Sequence, residues 1–255
     1  LARFGYKTTK TGFSVGTGFE QYTDFYVSPE ISIFSEKLST SDSASDSYKK
    51  QAGNYFDTTF QYRISYDKRN QSWQPSDGFI SRFSQSIPLV SDNASLSNLY
   101  TFTTYHEIFP ETIGKLGFYI ASINSLSDDD VRVSKRLYLP AKRLRGFESG
   151  RVGPVENDDF VGGNYSSSIN ASATLPNVLK ELENTDFSIF IDAGNVWGVD
   201  YSDAIDDSNK IRSATGIAID WFTPIGPLNF SFAKPITKAS TDKTEKFRFN
   251  LGTTF

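Results

Sequence analysis

The stretch NYFDTTFQYRISYD, residues 54–67, alternates in character along its whole length. Phe56, Phe60, Tyr62, Ile64 and Tyr66 share one parity, and Asp57, Gln61, Arg63 and Ser65 share the other. A period of two describes an extended chain whose side chains point to opposite faces. The run is also long. Strands of soluble domains average roughly 5–6 residues, whereas a tilted strand crossing a bilayer needs about 9–11 residues within the hydrocarbon. Phe13, Val15 and Phe19 repeat the pattern, as do Phe25, Val27, Ile31 and Ile33, and then Leu228, Phe230 and Phe232. So do Phe247, Phe249, Leu251 and Phe255, which put an aromatic on the last position.

Composition narrows the meaning of this pattern. Aromatic residues make up 15% of the 255 residues, with 22 Phe and 13 Tyr, yet no apolar run approaches the roughly 18–20 residues of a membrane helix. Aromatics scattered among polar residues suit an antiparallel barrel whose strands face lipid and lumen alternately. A secreted β-sandwich is the alternative. The formal net charge of -4 supplies no basic field for nucleic acid. The absence of cysteine removes disulfides, thiolate metal sites and thiol nucleophiles. The sequence opens at Leu1 on strand-like residues, without a secretory signal pattern, so a mature product or a fragment is expected.

Twelve strands are expected, near 1–7, 12–20, 24–38, 54–67, 78–88, 98–109, 114–126, 163–175, 186–197, 211–223, 227–236 and 246–255. Only NVLKELEN, 177–184, has helical character, enough for one or two turns. The connections alternate between compact turns and longer loops rich in Ser, Asp and Asn, the pattern of periplasmic turns and external loops. An even strand number places both chain ends on the periplasmic side.

Few residues point to catalysis or metal binding. GFSVG, 12–16, matches a nucleophile-elbow pattern, but it lies inside an alternating strand with no helix following. A serine triad would depend on His106, the sole histidine, which fits a rim or lumen position better. One histidine and no cysteine argue against zinc. SDDDV, 127–131, lacks an EF-hand pattern and is expected to be a solvated acidic loop. No catalytic residue, metal or cofactor is expected.

Five motifs occur in a fixed order: RLRGFESGRVGP at 143–154, VGGN at 161–164, FIDAGNVW at 190–197, ATGIAIDWFTPIGPLNFSFAKPI at 214–236, and the terminal FRFNLGTTF. Together they resemble the C-terminal transmembrane barrel of the BamA family of outer-membrane protein assembly factors, in the bacterial surface antigen superfamily. The resemblance is closest from about 137 to 255 and looser before that. The family barrel has sixteen strands preceded by periplasmic POTRA domains. By that resemblance residues 1–255 are a barrel domain matching the last twelve strands, without POTRA domains, either an N-terminally truncated fragment or a shortened barrel.

The resemblance also implies a site. In the family the Arg-Gly-Phe loop folds into the lumen and packs on the inner wall. Carried over, Arg145 is a buried guanidinium in need of a carboxylate. Asp192 is the candidate, because Phe187, Ile189 and Ile191 share the lipid-facing parity and turn Phe190 and Asp192 inward. Gly146 permits the turn at the loop tip, and Phe147 wedges against the wall near Phe190. Outside the family context, Arg145 reads as a solvated loop arginine and Asp192 as a turn aspartate before Gly194-Asn195. Leu144 replaces the family's usual Val or Ile, and the strand after the loop lacks its glutamate. Phe247, Phe249, Leu251, Gly252 and Phe255 match the terminal-strand signal that borders the family's lateral seam.

The function so implied is assembly and insertion of β-barrel clients in the bacterial outer membrane, without chemical catalysis. The implied partners are unfolded outer-membrane barrels, outer-membrane lipids and lipopolysaccharide, and assembly-complex lipoproteins that dock mainly on POTRA domains. Related readings are a translocator for secretion and a passive pore.

Overall fold

A computed structural model describes residues 5–176, 184–202, 205–223 and 226–251. The fold is all-β. Eleven strands follow one another antiparallel in a single curved sheet: β1 (Tyr6–Gly16), β3 (Phe25–Thr40), β4 (Gly53–Asp67), β5 (Gly78–Ser91), β6 (Ser95–Phe109), β7 (Thr112–Ser125), β10 (Tyr165–Leu175), β11 (Thr185–Trp197), β12 (Arg212–Thr223), β13 (Gly226–Thr237) and β14 (Phe247–Leu251). A twelfth, β2 (Phe19–Tyr22), pairs β3 alone. β8 (Val155–Glu156) and β9 (Asp159–Phe160) form a small separate hairpin in the long loop between β7 and β10. Among the described residues no helix is long and apolar enough to cross a membrane.

The twelve strands occupy eleven lanes. Gly16 pairs Glu30 and Phe19 pairs Val27, so β1 and β2 lie end to end on the same edge of β3 in unbroken register. The sequence reading divides this lane differently, at a polar stretch it leaves as a turn. Thr8, Thr9, Lys10 and Thr11 are instead strand, since one face of a barrel strand is polar and threonine is a good strand former. Tyr6 consequently pairs Thr40, beside the long loop 41–52. The described N-terminal residues therefore begin on the long-loop side, not the short-turn side that an even lane count implies. The helical turns expected over 177–184 fall outside the described residues except at Asn184, as do Gly252 and Phe255.

Burial is inverted relative to a soluble protein. Ile189 and Ile191 are 49% and 52% exposed, while Asp192 between the two faces of β11 is 0% exposed. Phe13, Ile31, Ile120, Ile217, Phe232 and Phe249 all stand on the same outward face. A row of aromatic contacts crosses five strands on that face: Phe25 with Tyr66, Tyr66 with Phe79, Phe79 with Phe102, and Phe102 with Phe118, at 5.7–6.3 Å between ring centres. It lies toward the short-turn end, where a membrane barrel carries an aromatic girdle. The inward face carries Glu36, Asp57, Ser166, Ser168, Asn229 and Ser231, all buried.

Candidate functional site: the lumenal loop

The chain between β7 and β10 does not project into solvent. It folds across the inner face of the sheet and supplies half of the apolar cluster there. Leu139, Leu144, Phe147 and Val152 from the loop pack with Tyr119, Ala121, Val196 and Ala214 from the strands. This burial stabilises a segment that has little backbone hydrogen bonding of its own, and it sets the position of Arg145.

Arg145 and Asp192 meet in a fork. Nε donates to Oδ2 and Nη2 donates to Oδ1, each at 2.8 Å, and the Arg145 backbone N–H donates to Oδ2 at 3.1 Å. A planar guanidinium matches a carboxylate in this way and an ammonium does not. Asn170, paired directly opposite Asp192 across the β10–β11 ladder, donates to Oδ1 at 2.9 Å and to the Arg143 carbonyl at 2.8 Å. Asp192 thus accepts four hydrogen bonds with its side chain wholly buried, while the Arg145 side chain retains 18% exposure. The strand after the loop supplies an amide where the family pattern has a glutamate. Asn170 has the inward parity of Ser168 and Ser172, the signal in the sequence that places its amide in the lumen.

The guanidinium also lies 3.5 Å from the centre of the Phe190 ring. The cation thus covers one face of Phe190. Phe190 in turn lies over Gly216, its partner on β12; a Cβ there would stand 2.7 Å from the ring. Gly146 has φ +90°, and a Cβ on it would come within 3.1 Å of Ala214 and 3.2 Å of Ala233. Small residues on β12 and β13 therefore admit the loop backbone. That backbone is pinned from the far side, where the Gly146 carbonyl accepts from Glu245 N–H at 3.0 Å and Phe147 bridges Thr244.

Arg248 is a further anchor that the sequence reading missed. It faces inward from β14 and donates to the carbonyls of Ala141 at 2.7 Å and Phe147 at 2.6 Å, and it pairs Glu245. Its alternation with Phe247 and Phe249 was the available signal. Phe247, Phe249 and Leu251 face outward, and Phe230 with Phe249 and Phe232 with Phe247 stack across the β13–β14 ladder at 5.2 and 5.0 Å.

The external loops also form a packed cap. Leu38, Ala44, Tyr48, Val133 and Val161 share an apolar cluster. Arg132, fully buried, pairs with Asp57 of β4 and with Glu36 of β3 at 3.4 Å, and its guanidinium lies 4.3 Å from the Tyr55 ring. Lys135 reaches Asp57 at 2.9 Å. Arg136 pairs with Asp200, and Arg212 forks onto Asp242 at 2.9 and 3.0 Å. In the acidic loop, Asp128 and Asp129 are exposed as a solvated segment would be, but Val131 is fully buried. No group of three metal-ligating side chains occurs among the described residues. His106 stands exposed, 3.3 Å from Asp77.

The Omp85 superfamily domain matches residues 3–255. The chain belongs to the Omp85 superfamily. Among curated proteins it is 32% identical over 139 residues to outer membrane protein assembly factor BamA of Neisseria meningitidis, covering 44% of this chain and 17% of that protein. BamA of Neorickettsia risticii is 25% identical over 217 residues, covering 83% of this chain and 29% of that protein. The crystal structure of BamA from Haemophilus ducreyi lacking POTRA domains 1-3 shares the fold, with TM-score 0.85 and 24% identity over 96% of this chain and 54% of that one. The chain thus spans less than a third of these curated relatives. Superfamily membership together with the likeness to bacterial BamA proteins puts this barrel in the bacterial outer membrane.

Proposed function

We propose that the protein assembles β-barrel clients in the outer membrane, as its curated BamA relatives are named for doing. One observation carries the reading. β14 has five described residues, all paired to β13, so the last strand is held to the sheet by a short ladder. An unpaired edge bearing a regular row of N–H and C=O groups templates another strand. The outward Phe247, Phe249 and Leu251 place β14 at bilayer depth. An incoming client strand adds to β14 by backbone hydrogen bonding, so the work is done by strand exchange and no covalent step is needed.

The Arg145–Asp192 fork serves this by holding the lumenal loop, and through Arg248 the loop holds β14. A lumen filled in this way does not favour a passive pore. On this reading residues 1–255 are the barrel domain, unfolded barrels are the clients, and lipoprotein partners act through other parts of the protein. The test is reconstitution of the full-length protein in liposomes with an unfolded client barrel. Client folding, followed by heat-modifiable gel mobility, should run faster than in empty liposomes. Equal rates, or a steady ionic conductance through the wild-type lumen, would overturn the reading.

A further inference from the structure

Beneath the loop the inner face encloses a polar cavity of about 840 Å³, opening toward the turn 68–77 that carries Trp73 and Gln74. Lys115 of β7 lines it with its ammonium over the Tyr105 ring, and the other six cations fall into two groups. Arg145, Arg248 and Arg69 are committed to Asp192, Glu245 and Asp67. Arg82 of β5, with Lys142 and Arg143 of the loop, line the same cavity and form no ion pair among the described residues. Arg143 rests 5.4 Å from the Tyr119 ring, which orients its guanidinium without neutralising it. Burial, and then the like charges of Arg143 and Arg82, hold Lys142 below the usual lysine value. Asp67 and Asp192 relieve Arg82 and Arg143 only at a distance, since no carboxylate lies within ion-pair reach of any of the three among the described residues.

Of the three carboxylates that line the cavity, Glu111 is on the turn between β6 and β7, while Asp186 of β11 and Asp220 of β12 stand on the opposite wall. Asp186 accepts from Gln74 at 2.9 Å and Asp220 from Asn229 at 2.7 Å, both neutral amides. On the cationic wall the additional donors are Thr101 and Thr103. We propose that this wall is a binding site for phosphate-type anions, with Arg82, Lys142 and Arg143 supplying the charge. Two guanidinium forks and an ammonium offer more donors than a single carboxylate can accept. A phosphate carries about 1.5–2 negative charges and three accepting oxygens, and it suits planar forks. Anion binding here requires no strand exchange, so it does not depend on the assembly reading.

The test is calorimetric titration of inorganic pyrophosphate into the full-length protein in neutral detergent at low salt. Saturable binding is expected, weakened at least tenfold in Arg82→Gln/Arg143→Gln and unchanged in Lys50→Gln, an exposed external lysine. Heat-modifiable mobility confirms that each variant is folded. A second arm adds phosphatidylglycerol to the micelles. Competition with pyrophosphate makes a lipid headgroup the phosphate source, and no competition makes it a soluble phosphate. Absence of saturable binding in both arms, or equal binding by the folded double variant and wild type, would overturn the proposal.

Discussion

Replacing Arg145 with alanine separates a structural lock from a surface charge. The wild-type carboxylate of Asp192 is wholly buried and accepts four hydrogen bonds. Two come from the guanidinium and vanish, whereas the Arg145 backbone N–H and the Asn170 amide remain. Stranding a buried charge by removing its partner costs about 3–5 kcal/mol, and the two surviving donors put this case near the lower end. Loss of the contact with Phe190 adds roughly 0.5–2 kcal/mol. The expected destabilisation is therefore about 3.5–5 kcal/mol. Arg143→Ala loses only a partly exposed ring contact and should cost about 0.5–1 kcal/mol. Arg145→Lys keeps the charge and loses the fork, so an intermediate loss of about 2 kcal/mol is expected. Urea unfolding in detergent, read by tryptophan fluorescence and heat-modifiable mobility, measures all three. Combining Arg145→Ala with Asp192→Ala removes the stranded charge, and the cycle should show coupling of about 2–3 kcal/mol. Equal losses for Arg145→Ala and Arg143→Ala, or coupling below about 0.5 kcal/mol, would refute the lock.

Gly146→Ala forces a side chain into φ +90° against Ala214 and Ala233 and should cost about 1–3 kcal/mol. Gly53→Ala, with open space around its Cβ, should stay within about 0.5 kcal/mol by the same urea assay. Arg248→Ala frees the carbonyls of Ala141 and Phe147 and should lower stability by about 2 kcal/mol. The same variant should speed hydrogen exchange at the amide of Glu245. In the external cap, burial pushes the Asp200 carboxyl up, but the Val131 N–H and the Arg136 guanidinium outweigh it and hold the group below its usual value. A folded value below the unfolded one means that ionised Asp200 stabilises the cap above about pH 4, with the contribution lost as pH falls further. Pepsin cleavage of the cap should rise steeply below that pH in wild type and lose this step in Asp200→Asn.

Parity carried the strand faces a long way. On β11 it turned Ile189 and Ile191 outward and Asp192 inward, because the two sides of a barrel strand meet opposite media. It failed at 8–11, where threonines and a lysine mimic a turn in composition while their backbone is held by β3. It was silent on the cap. Arg132 is one of several loop arginines in sequence, and nothing local distinguishes the one that reaches Glu36 and Asp57, which lie 96 and 75 positions away.

By itself the sequence determined an antiparallel membrane barrel and the lipid-facing side of its cleanly alternating strands, while the pair of charges able to lock the lumenal loop came from the resemblance of its motifs to the BamA family. The first two are consequences of a local period written along the chain. Only the tertiary structure decided that β1 and β2 share a lane, that the Arg145 guanidinium lies over Phe190, that Arg248 ties the loop to the last strand, and that Arg82, Lys142 and Arg143 form no ion pair among the described residues. Each depends on how a closed-in sheet and a long loop divide the same interior, and distances across that interior are set by curvature and packing, not by neighbours in sequence.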